Sequence, residues 1–312
     1  MKVLLTGCAG FIGSHTADAL IAAGHSVRGV DSFTDYYDPA AKRANVAGLA
    51  GHPLFELVDT DLTTADCDAL FDGVDAVAHL AGQPGVRASW DDGFAVYVER
   101  NVLATQRLLD AARRHPPDRF VYASSSSIYG DAETFPTPEV VVPRPVSPYG
   151  VTKLAGEHLA TLYGTNFALP TISLRYFTVY GPRQRPDMAI RRMIYAALTD
   201  TPFPLFGDGS AARSFTFVSD VVAANLAALT ADVAPGTVVN LSGSETVTVT
   251  ELLQVVGNEV GHRVPTEQHP AQPGDARRTG GATQLANDHL GWSATTPLHE
   301  GVAAQVGWQR TT

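Results

Sequence analysis

The sequence predicts an α/β fold, in which a doubly wound parallel sheet is followed by a smaller C-terminal lobe. Short runs rich in β-branched residues alternate with amphipathic stretches, a pattern typical of a parallel sheet wrapped by helices. After about residue 175 the chain changes to short segments separated by Gly and Pro, as in Gly207-Asp208-Gly209. A length of 312 residues also exceeds the usual size of a single core.

Each predicted element follows from its own pattern of apolar residues. The β-branched runs predict strands at 3–6, 26–30, 54–58, 76–80, 120–123 and 171–174. Apolar residues at three- and four-residue spacing predict helices at 14–23, 95–114 and 149–163. No internal repeat interrupts this order.

Composition excludes several classes of function. The formal net charge of -10 opposes binding to nucleic acid or to an anionic membrane surface, because the field of the protein repels phosphates. No apolar run approaches the roughly 20 residues that span a bilayer, and we expect no signal peptide. Cys8 and Cys67 are too few for a disulfide framework and have no metal-ligand spacing, so we expect a cytoplasmic protein without a metal.

A glycine cluster follows the first predicted strand. Gly7, Gly10 and Gly13 form G-x-x-G-x-x-G in the segment 7–13, which also contains Phe11 and Ile12 and leads into the predicted helix at 14–23. Glycines let the backbone approach a pyrophosphate, whose charge is stabilised by the helix N-terminus. A plain tight turn would also account for these glycines taken alone.

Acidic and apolar residues at the ends of the next strands strengthen the dinucleotide interpretation. Asp31 ends the second strand, where a carboxylate binds the adenosine ribose hydroxyls and repels a 2'-phosphate. This favours NAD over NADP, although Arg43 is near enough in sequence to leave NADP open. The residues expected beside the adenine and ribose are Asp61, Leu62, Leu80 and Ala81; taken singly, each would also fit an ordinary turn.

These observations divide the chain into two predicted domains. We expect a Rossmann-type NAD-binding domain in residues 1–175, to which a segment near 214–242 returns. Residues 176–213 and 243–312 are then expected to form the substrate-binding lobe.

Tyr149 and Lys153 form a Y-x-x-x-K pair on a predicted helix. The spacing puts a phenol and an ammonium on one face, one turn apart. A tyrosine pKa near 10 must be lowered by a nearby positive charge before the phenolate acts as a base near neutrality. The spacing alone is common on exposed helices, so the interpretation depends on the dinucleotide loop.

Together these motifs resemble the extended short-chain dehydrogenase/reductases of the NAD-dependent epimerase and dehydratase group. The resemblance covers nearly the whole chain and includes the segments at 79–82, 124–130, 147–153, 174–182 and 213–215. It implies that Ser125 completes a catalytic triad with Tyr149 and Lys153, and that Tyr176 contacts the cofactor. Asn101 resembles the structural asparagine of the family, although an ordinary polar helix residue fits equally well.

The same resemblance narrows the reaction. Dehydratases and decarboxylases of the family carry acidic residues where Ser126 and Ser127 stand here, so epimerisation is favoured over elimination. Thr178, Arg185 and the loop at 35–39 are similar to UDP-glucuronate 4-epimerases, in which Arg185 would face the C5 carboxylate. A surface ion pair with the neighbouring aspartate is the alternative for this arginine.

The nucleotide half of the substrate is assigned by resemblance as well. Arg213 matches the diphosphate-binding arginine of the family, and Phe206 is expected to pack on the base. The segment 272–278 is similar to a late P-G-D segment, in which Arg277 or Arg278 would add charge to that site. Arg87 follows the fourth strand and would reach either the substrate or only the backbone.

The resulting prediction is C4 epimerisation of UDP-glucuronate to UDP-galacturonate through a 4-keto intermediate, by a homodimer. Within the enzyme class, UDP-glucose/UDP-galactose 4-epimerase and UDP-glucuronate decarboxylase remain alternatives. A dinucleotide-binding sensor without turnover is the alternative from a different class, although such a protein needs no catalytic base.

Overall fold

A seven-stranded parallel sheet forms the centre of the computed structural model, which describes residues 1–271 and 276–312. In chain order its strands are β1 (Lys2–Thr6), β2 (Ser26–Asp31), β3 (Phe55–Asp59), β4 (Ala76–His79), β5 (Arg119–Ser125), β6 (Thr171–Tyr176) and β7 (Thr237–Leu241). In space they lie in the order β7-β6-β5-β4-β1-β2-β3. The order reverses between β1 and β4, which opens a crevice at their carboxyl ends. The predicted α/β fold class is thereby confirmed.

Helices cover both faces of the sheet and continue into the C-terminal lobe. They are α1 (Phe11–Ala22), α2 (Pro39–Val46), α3 (Cys67–Leu70), α4 (Phe94–Tyr97), α5 (Ala104–Arg114), α6 (Pro148–Phe167), α7 (Ala189–Thr199), α8 (Val218–Ala228), α9 (Val249–Val260), α10 (Gln284–Leu290) and α11 (Leu298–Gln309). Single 3₁₀ turns lie at Ala47–Leu49, Arg87–Ser89, Asp91–Gly93 and Ser126–Ile128.

The period of two along β1 divides the core into two layers. Val3 and Leu5 pack towards α1, α8 and α10, whereas Leu4 packs towards α3, α5 and α6. All three side chains are fully buried, as expected for a strand covered on both faces. The central sheet is therefore a rigid support for the loops at its carboxyl edge.

The C-terminal lobe has a core of its own, in which α7, α9 and α11 pack together. Its short strands pair as Phe203–Phe206 with Thr266–His269, Ala212–Ser214 with both Thr246–Thr248 and Arg278–Thr279, and Val179–Tyr180 with Thr216–Phe217. Between these segments the chain returns to the sheet, where α8 packs on α1 and β7 pairs with β6. The lobe is thus linked to the sheet at several points.

Two local features fix the helices that face the crevice. The Ser147 side chain caps α6 by accepting a hydrogen bond from the Gly150 amide at 3.1 Å, and Pro148 occupies the first turn. The helix predicted at 95–114 is interrupted by a π-helical segment, Val98–Leu103, which joins α4 to α5.

Among the helices of the described residues, none combines the length and the apolar character needed to cross a bilayer.

Candidate functional site

A cavity with a volume of about 230 Å³ lies at the carboxyl ends of β1, β2 and β4 and is called the main cavity below. Every residue that the sequence assigns to the cofactor lines it. These residues are Gly7, Gly10, Phe11, Ile12, Gly13, Asp31, Asp61, Leu62, Leu80, Ala81, Tyr149, Lys153 and Tyr176. The structure thus brings together residues that are up to 169 positions apart in the chain, from Gly7 to Tyr176.

The glycines of the first loop allow the backbone to pack closely against other backbone atoms. Gly7 has a φ of +71°, and a Cβ there would lie 2.8 Å from the Ala81 amide nitrogen. A Cβ on Gly13 would lie 2.0 Å from the Gly7 carbonyl oxygen. The loop therefore folds tightly at the N-terminus of α1, a geometry that suits the pyrophosphate of NAD.

Asp31 ends β2 inside the main cavity. Its carboxylate accepts hydrogen bonds from the Ala9 amide at 3.1 Å and from the Phe33 amide at 2.8 Å. The ammonium of Lys42 lies 3.7 Å from the same carboxylate, and Lys42 also lines the cavity. The sequence pointed to Arg43 instead, but Arg43 turns to the exposed Asp59 at 3.3 Å. Lys42 was missed because nothing in its spacing distinguishes it from its neighbour.

Two polar residues near the crevice prove to be structural. His79 is buried between Thr6 Oγ1 at 2.7 Å and Thr105 Oγ1 at 2.9 Å, and burial lowers its pKa to about 3. Asn101 lies in the π-helical segment and binds the backbone of Gln83 through both side-chain atoms. Its amide nitrogen also donates to Thr152 Oγ1 at 3.0 Å, which ties the segment to α6.

Tyr149 and Lys153 lie in the wall of the main cavity, one turn apart on α6. Burial raises the pKa of Tyr149, and a hydrogen bond with Ser125 and the charge of Arg185 act in the opposite direction. Burial lowers the pKa of Lys153 to about 7, against the opposing effect of Glu157. The ammonium lies 4.5 Å from the centre of the Tyr122 ring. The three residues predicted to act together are therefore neighbours.

A second cavity adjoins the main one on the side of the C-terminal lobe. Ser126, Ser127, Thr178 and Arg213 line it, as the sequence predicts for substrate-binding residues, together with Ser147. Residues two positions apart in the chain line different cavities: Ser124 and Tyr176 line the main cavity, whereas Ser126 and Thr178 line the second. Ser125 and Tyr149 consequently lie at the border of the two cavities.

Arg185 reaches the main cavity from the loop before α7. Its Nε and Nη2 each lie 3.0 Å from an oxygen of Asp187, in a bidentate ion pair. Burial lowers the pKa of Arg185, but Asp187 and the two tyrosines 36 and 149 raise it more, so the guanidinium stays charged. Arg185 thus forms the ion pair with the neighbouring aspartate, and its charge also acts on Tyr149. The contact of Arg185 with a sugar carboxylate stays a prediction.

The remaining predicted residues lie outside both cavities. The guanidinium of Arg87 packs over the Phe206 ring, 4.2 Å from its centre, so this loop contacts the C-terminal lobe. Arg278 is exposed and packs on Phe135 at 4.6 Å, and Arg277 is 3.8 Å from Asp131. Neither arginine lines the main cavity or the second cavity. Residues 272–275 of the predicted P-G-D segment lie outside the described residues.

Comparison with known proteins identifies a matching family. The family described as the NAD dependent epimerase/dehydratase family matches residues 3–242. A Bacillus subtilis (strain 168) protein named Uncharacterized UDP-glucose epimerase YtcB is 38% identical over 309 residues, which cover 99% of this chain and 98% of that protein. A UDP-glucuronate 4-epimerase of Thermodesulfobacterium geofontis (strain OPF15) is 32% identical and covers 98% of this chain and 95% of its own length.

A solved structure resembles the whole chain. It is the UDP-glucuronic acid 4-epimerase from Bacillus cereus in complex with UDP-glucuronic acid and NAD, which superposes with a TM-score of 0.96 at 38% sequence identity. The match covers 100% of this chain and 99% of the other.

Proposed function

Because the chain belongs to the NAD-dependent epimerase/dehydratase family, we propose that it inverts C4 of a nucleotide sugar, converting UDP-glucuronate to UDP-galacturonate. The observation that carries the choice of sugar is Arg185, a charged guanidinium in the wall of the cavity that also contains Tyr149 and Lys153. A cation at this point recognises a carboxylate on the sugar ring.

The catalytic groups at the border of the two cavities suit reversible oxidation at C4. The glycine loop and Asp31 would hold NAD, which would supply the hydride acceptor when bound. Tyr149 takes the proton of the 4-hydroxyl as general base and returns it after inversion. Ser125 holds the phenol through its hydrogen bond, and Lys153 contributes an ammonium one turn away.

The hydroxyl groups of the second cavity suit control of the carboxylate. A 4-keto uronic acid is a β-keto acid, which loses CO₂ when the bond to the carboxylate aligns with the ketone π system. Ser126, Ser127 and Thr178, acting with Arg185, would hold the carboxylate out of that alignment. Arg213 in the same cavity is suited to the diphosphate.

The direct test is incubation of the purified protein with UDP-glucuronate and NAD, followed by NMR of the C4 configuration. We expect UDP-galacturonate and no pentose product in wild type, and release of CO₂ with a pentose by-product after Arg185→Ala. If the variant epimerises UDP-glucuronate at the wild-type rate and releases no CO₂, Arg185 does not hold the carboxylate. A wild-type protein that retains NAD but turns over no UDP-sugar would point to a sensor.

A second candidate is epimerisation of UDP-glucose and UDP-galactose, which the name of the Bacillus subtilis relative favours. UDP-glucose lacks the C5 carboxylate that Arg185 would bind. A panel of both substrates at equal concentration distinguishes the two activities, because a neutral-sugar epimerase gains nothing from the carboxylate. Formation of UDP-xylose from wild type would favour the decarboxylase alternative.

We also propose that the protein works as a homodimer in the cytoplasm. Exposed apolar side chains recur along α4, the π-helical segment and α6, including Val98, Leu103, Val151, Leu162 and Phe167, which are 38 to 53% exposed. A second copy of this chain would cover them. Light scattering should give a dimer for wild type and a monomer for Leu162→Glu.

The cytoplasmic location is supported by the two cysteines. Both are buried and unpaired, which suits a reducing compartment.

A further inference from the structure

The loop after β2 reaches across the site to the charged pair at Arg185. Tyr36 of this loop donates a hydrogen bond from its hydroxyl to Asp187 Oδ2 at 3.4 Å. Its ring centre is 6.0 Å from the guanidinium carbon of Arg185. Tyr36 and Asp187 are separated by 151 residues in the chain, so only the folded protein brings them together.

The guanidinium of Arg185 has two edges that can bind a carboxylate. Asp187 occupies the edge formed by Nε and Nη2, with both distances at 3.0 Å. The adjacent edge, formed by an Nη1 proton and the second Nη2 proton, lies in the same plane and faces a different direction from the edge that Asp187 occupies. Fixing one edge therefore fixes the direction in which the other edge presents its two N–H groups.

Tyr36 is itself held by a close approach of the backbone. Gly85 has a φ of +100°, and a Cβ there would lie 2.2 Å from the Tyr36 hydroxyl oxygen. The Tyr97 hydroxyl anchors the same turn through the carbonyls of Pro84 and Gly85, at 2.7 and 2.8 Å. The loop after β4 thus contacts the Tyr36 hydroxyl and limits the positions that this side chain can take.

We propose that Asp187 and Tyr36 are positioning residues that orient the free edge of Arg185 towards the sugar carboxylate, and so select a uronic acid and suppress loss of CO₂. This inference rests on the proposed function. It deepens that function by assigning roles to two residues that do not themselves touch the reacting atoms.

The consequence for the chemistry follows from the geometry of the keto acid. If the guanidinium turns, the carboxylate is free to align with the C4 ketone. The bond from C5 to the carboxylate carbon then breaks, its electron pair forms the C4–C5 enolate, CO₂ leaves, and a proton from water adds at C5. A sugar without a carboxylate cannot lose CO₂ and offers no anion to the Arg185 guanidinium. Its binding should therefore not depend on Asp187 or Tyr36.

The test compares Asp187→Asn and Tyr36→Phe with two matched controls. Asp200→Asn removes the same charge from an exposed residue at the end of α7, and Tyr195→Phe removes a hydroxyl from a tyrosine of α7 that is 58% exposed. Calorimetry measures binding of UDP-glucuronate and UDP-glucose in the presence of NAD. Mass balance with UDP-glucuronate measures the fraction of turnovers that release CO₂.

We expect Asp187→Asn to weaken binding of UDP-glucuronate by roughly tenfold, to leave UDP-glucose binding within about twofold, and to raise the CO₂ fraction. Tyr36→Phe should do the same to a smaller degree and provides a second variant if Asp187→Asn does not fold. Equal losses for both sugars, or none for either, would overturn the proposal. If wild type does not epimerise UDP-glucuronate at all, the proposed function fails instead.

Discussion

Glu157 follows Lys153 by four residues on α6, so a buried carboxylate lies one turn beyond the buried ammonium. Arg175 holds Glu157 in a bidentate pair, with Nε–Oε2 at 3.0 Å and Nη2–Oε1 at 2.6 Å. Ser124, next to Ser125, donates to the same carboxylate at 2.6 Å. The charge on Lys153 is therefore linked to an ion pair in the core.

Replacing Lys153 by Met should change how stability depends on pH. The pKa of Lys153 is about 7 in the folded protein and near 10.5 in the unfolded chain, so the unfolded chain binds more protons between these values. The contribution of Lys153 to the free energy of unfolding is therefore lowest below pH 7 and rises as the pH increases from 7 to 10.5. Thermal unfolding of NAD-free protein should show that rise in wild type and a flatter curve in the variant.

The difference in unfolding free energy between wild type and Lys153→Met, measured at each pH, separates the effect of Lys153 from that of the other titrating residues. A variant curve parallel to wild type across this range would contradict a depressed pKa for Lys153.

Replacing Glu157 by Gln should destabilise the protein by roughly 3–5 kcal/mol, because it leaves the Arg175 guanidinium buried without its partner. It should also lower the pKa of Lys153 further, since Glu157 is the group that raises it. Urea unfolding measures the first effect. Glu251→Gln, which changes an exposed capping-box residue, is the control and should change the urea midpoint much less than Glu157→Gln does.

Replacing Tyr149 by Phe should lower kcat by roughly 10²–10⁴ while NAD binding changes little, because only the general base is lost. Ser125→Ala should cost less, since it removes a hydrogen bond to the phenol and not the phenol itself. Product formation by NMR and cofactor binding by fluorescence separate the two effects. Retention of wild-type turnover in Tyr149→Phe would exclude the assigned base.

Replacing Asp31 by Asn should improve the use of NADP relative to NAD by at least roughly tenfold, because the repulsion between a carboxylate and a 2'-phosphate disappears. Lys42 remains in the cavity, 3.7 Å from the original carboxylate, and supplies a cation for the phosphate. The Asp31→Asn/Lys42→Met double variant should lose that gain. Asp59→Asn changes an exposed carboxylate at the end of β3 and should leave cofactor preference unchanged.

The sequence predicts the central sheet well because its strands are short, buried and rich in β-branched residues. Six of the strands were predicted within a few residues of their observed bounds, and β7 was anticipated only as a returning segment near 214–242. Helices α2 and α3 were missed, since eight and four residues give too little periodicity. Helices α7 to α11 were not predicted either, because the Gly and Pro residues after residue 175 indicated only short segments. The start of α1 at Phe11 instead of Ser14 reflects how tightly the glycine loop joins the helix.

The candidate site was also predictable only in part. Tyr149 and Lys153 are predictable because one helix fixes their separation, and the glycine loop is predictable because its backbone geometry requires glycine. Contacts between distant segments are not predictable, since tertiary packing determines which residues meet. Lys42 beside Asp31 and Tyr36 beside Asp187 are such pairs. The substrate roles assigned to Arg87, Phe206, Arg213 and Arg278 remain predictions.

The π-helical segment Val98–Leu103 has a consequence for changes in chain length. A π turn contains an additional residue relative to an α turn, and here it presents Asn101 to Gln83 and Thr152. Deleting one residue within the segment would restore α-helical winding and rotate α5 by about 100° relative to α4. Either Asn101 would leave the crevice, or Leu108 and Leu109 would leave the core, so this helix tolerates substitution far better than deletion.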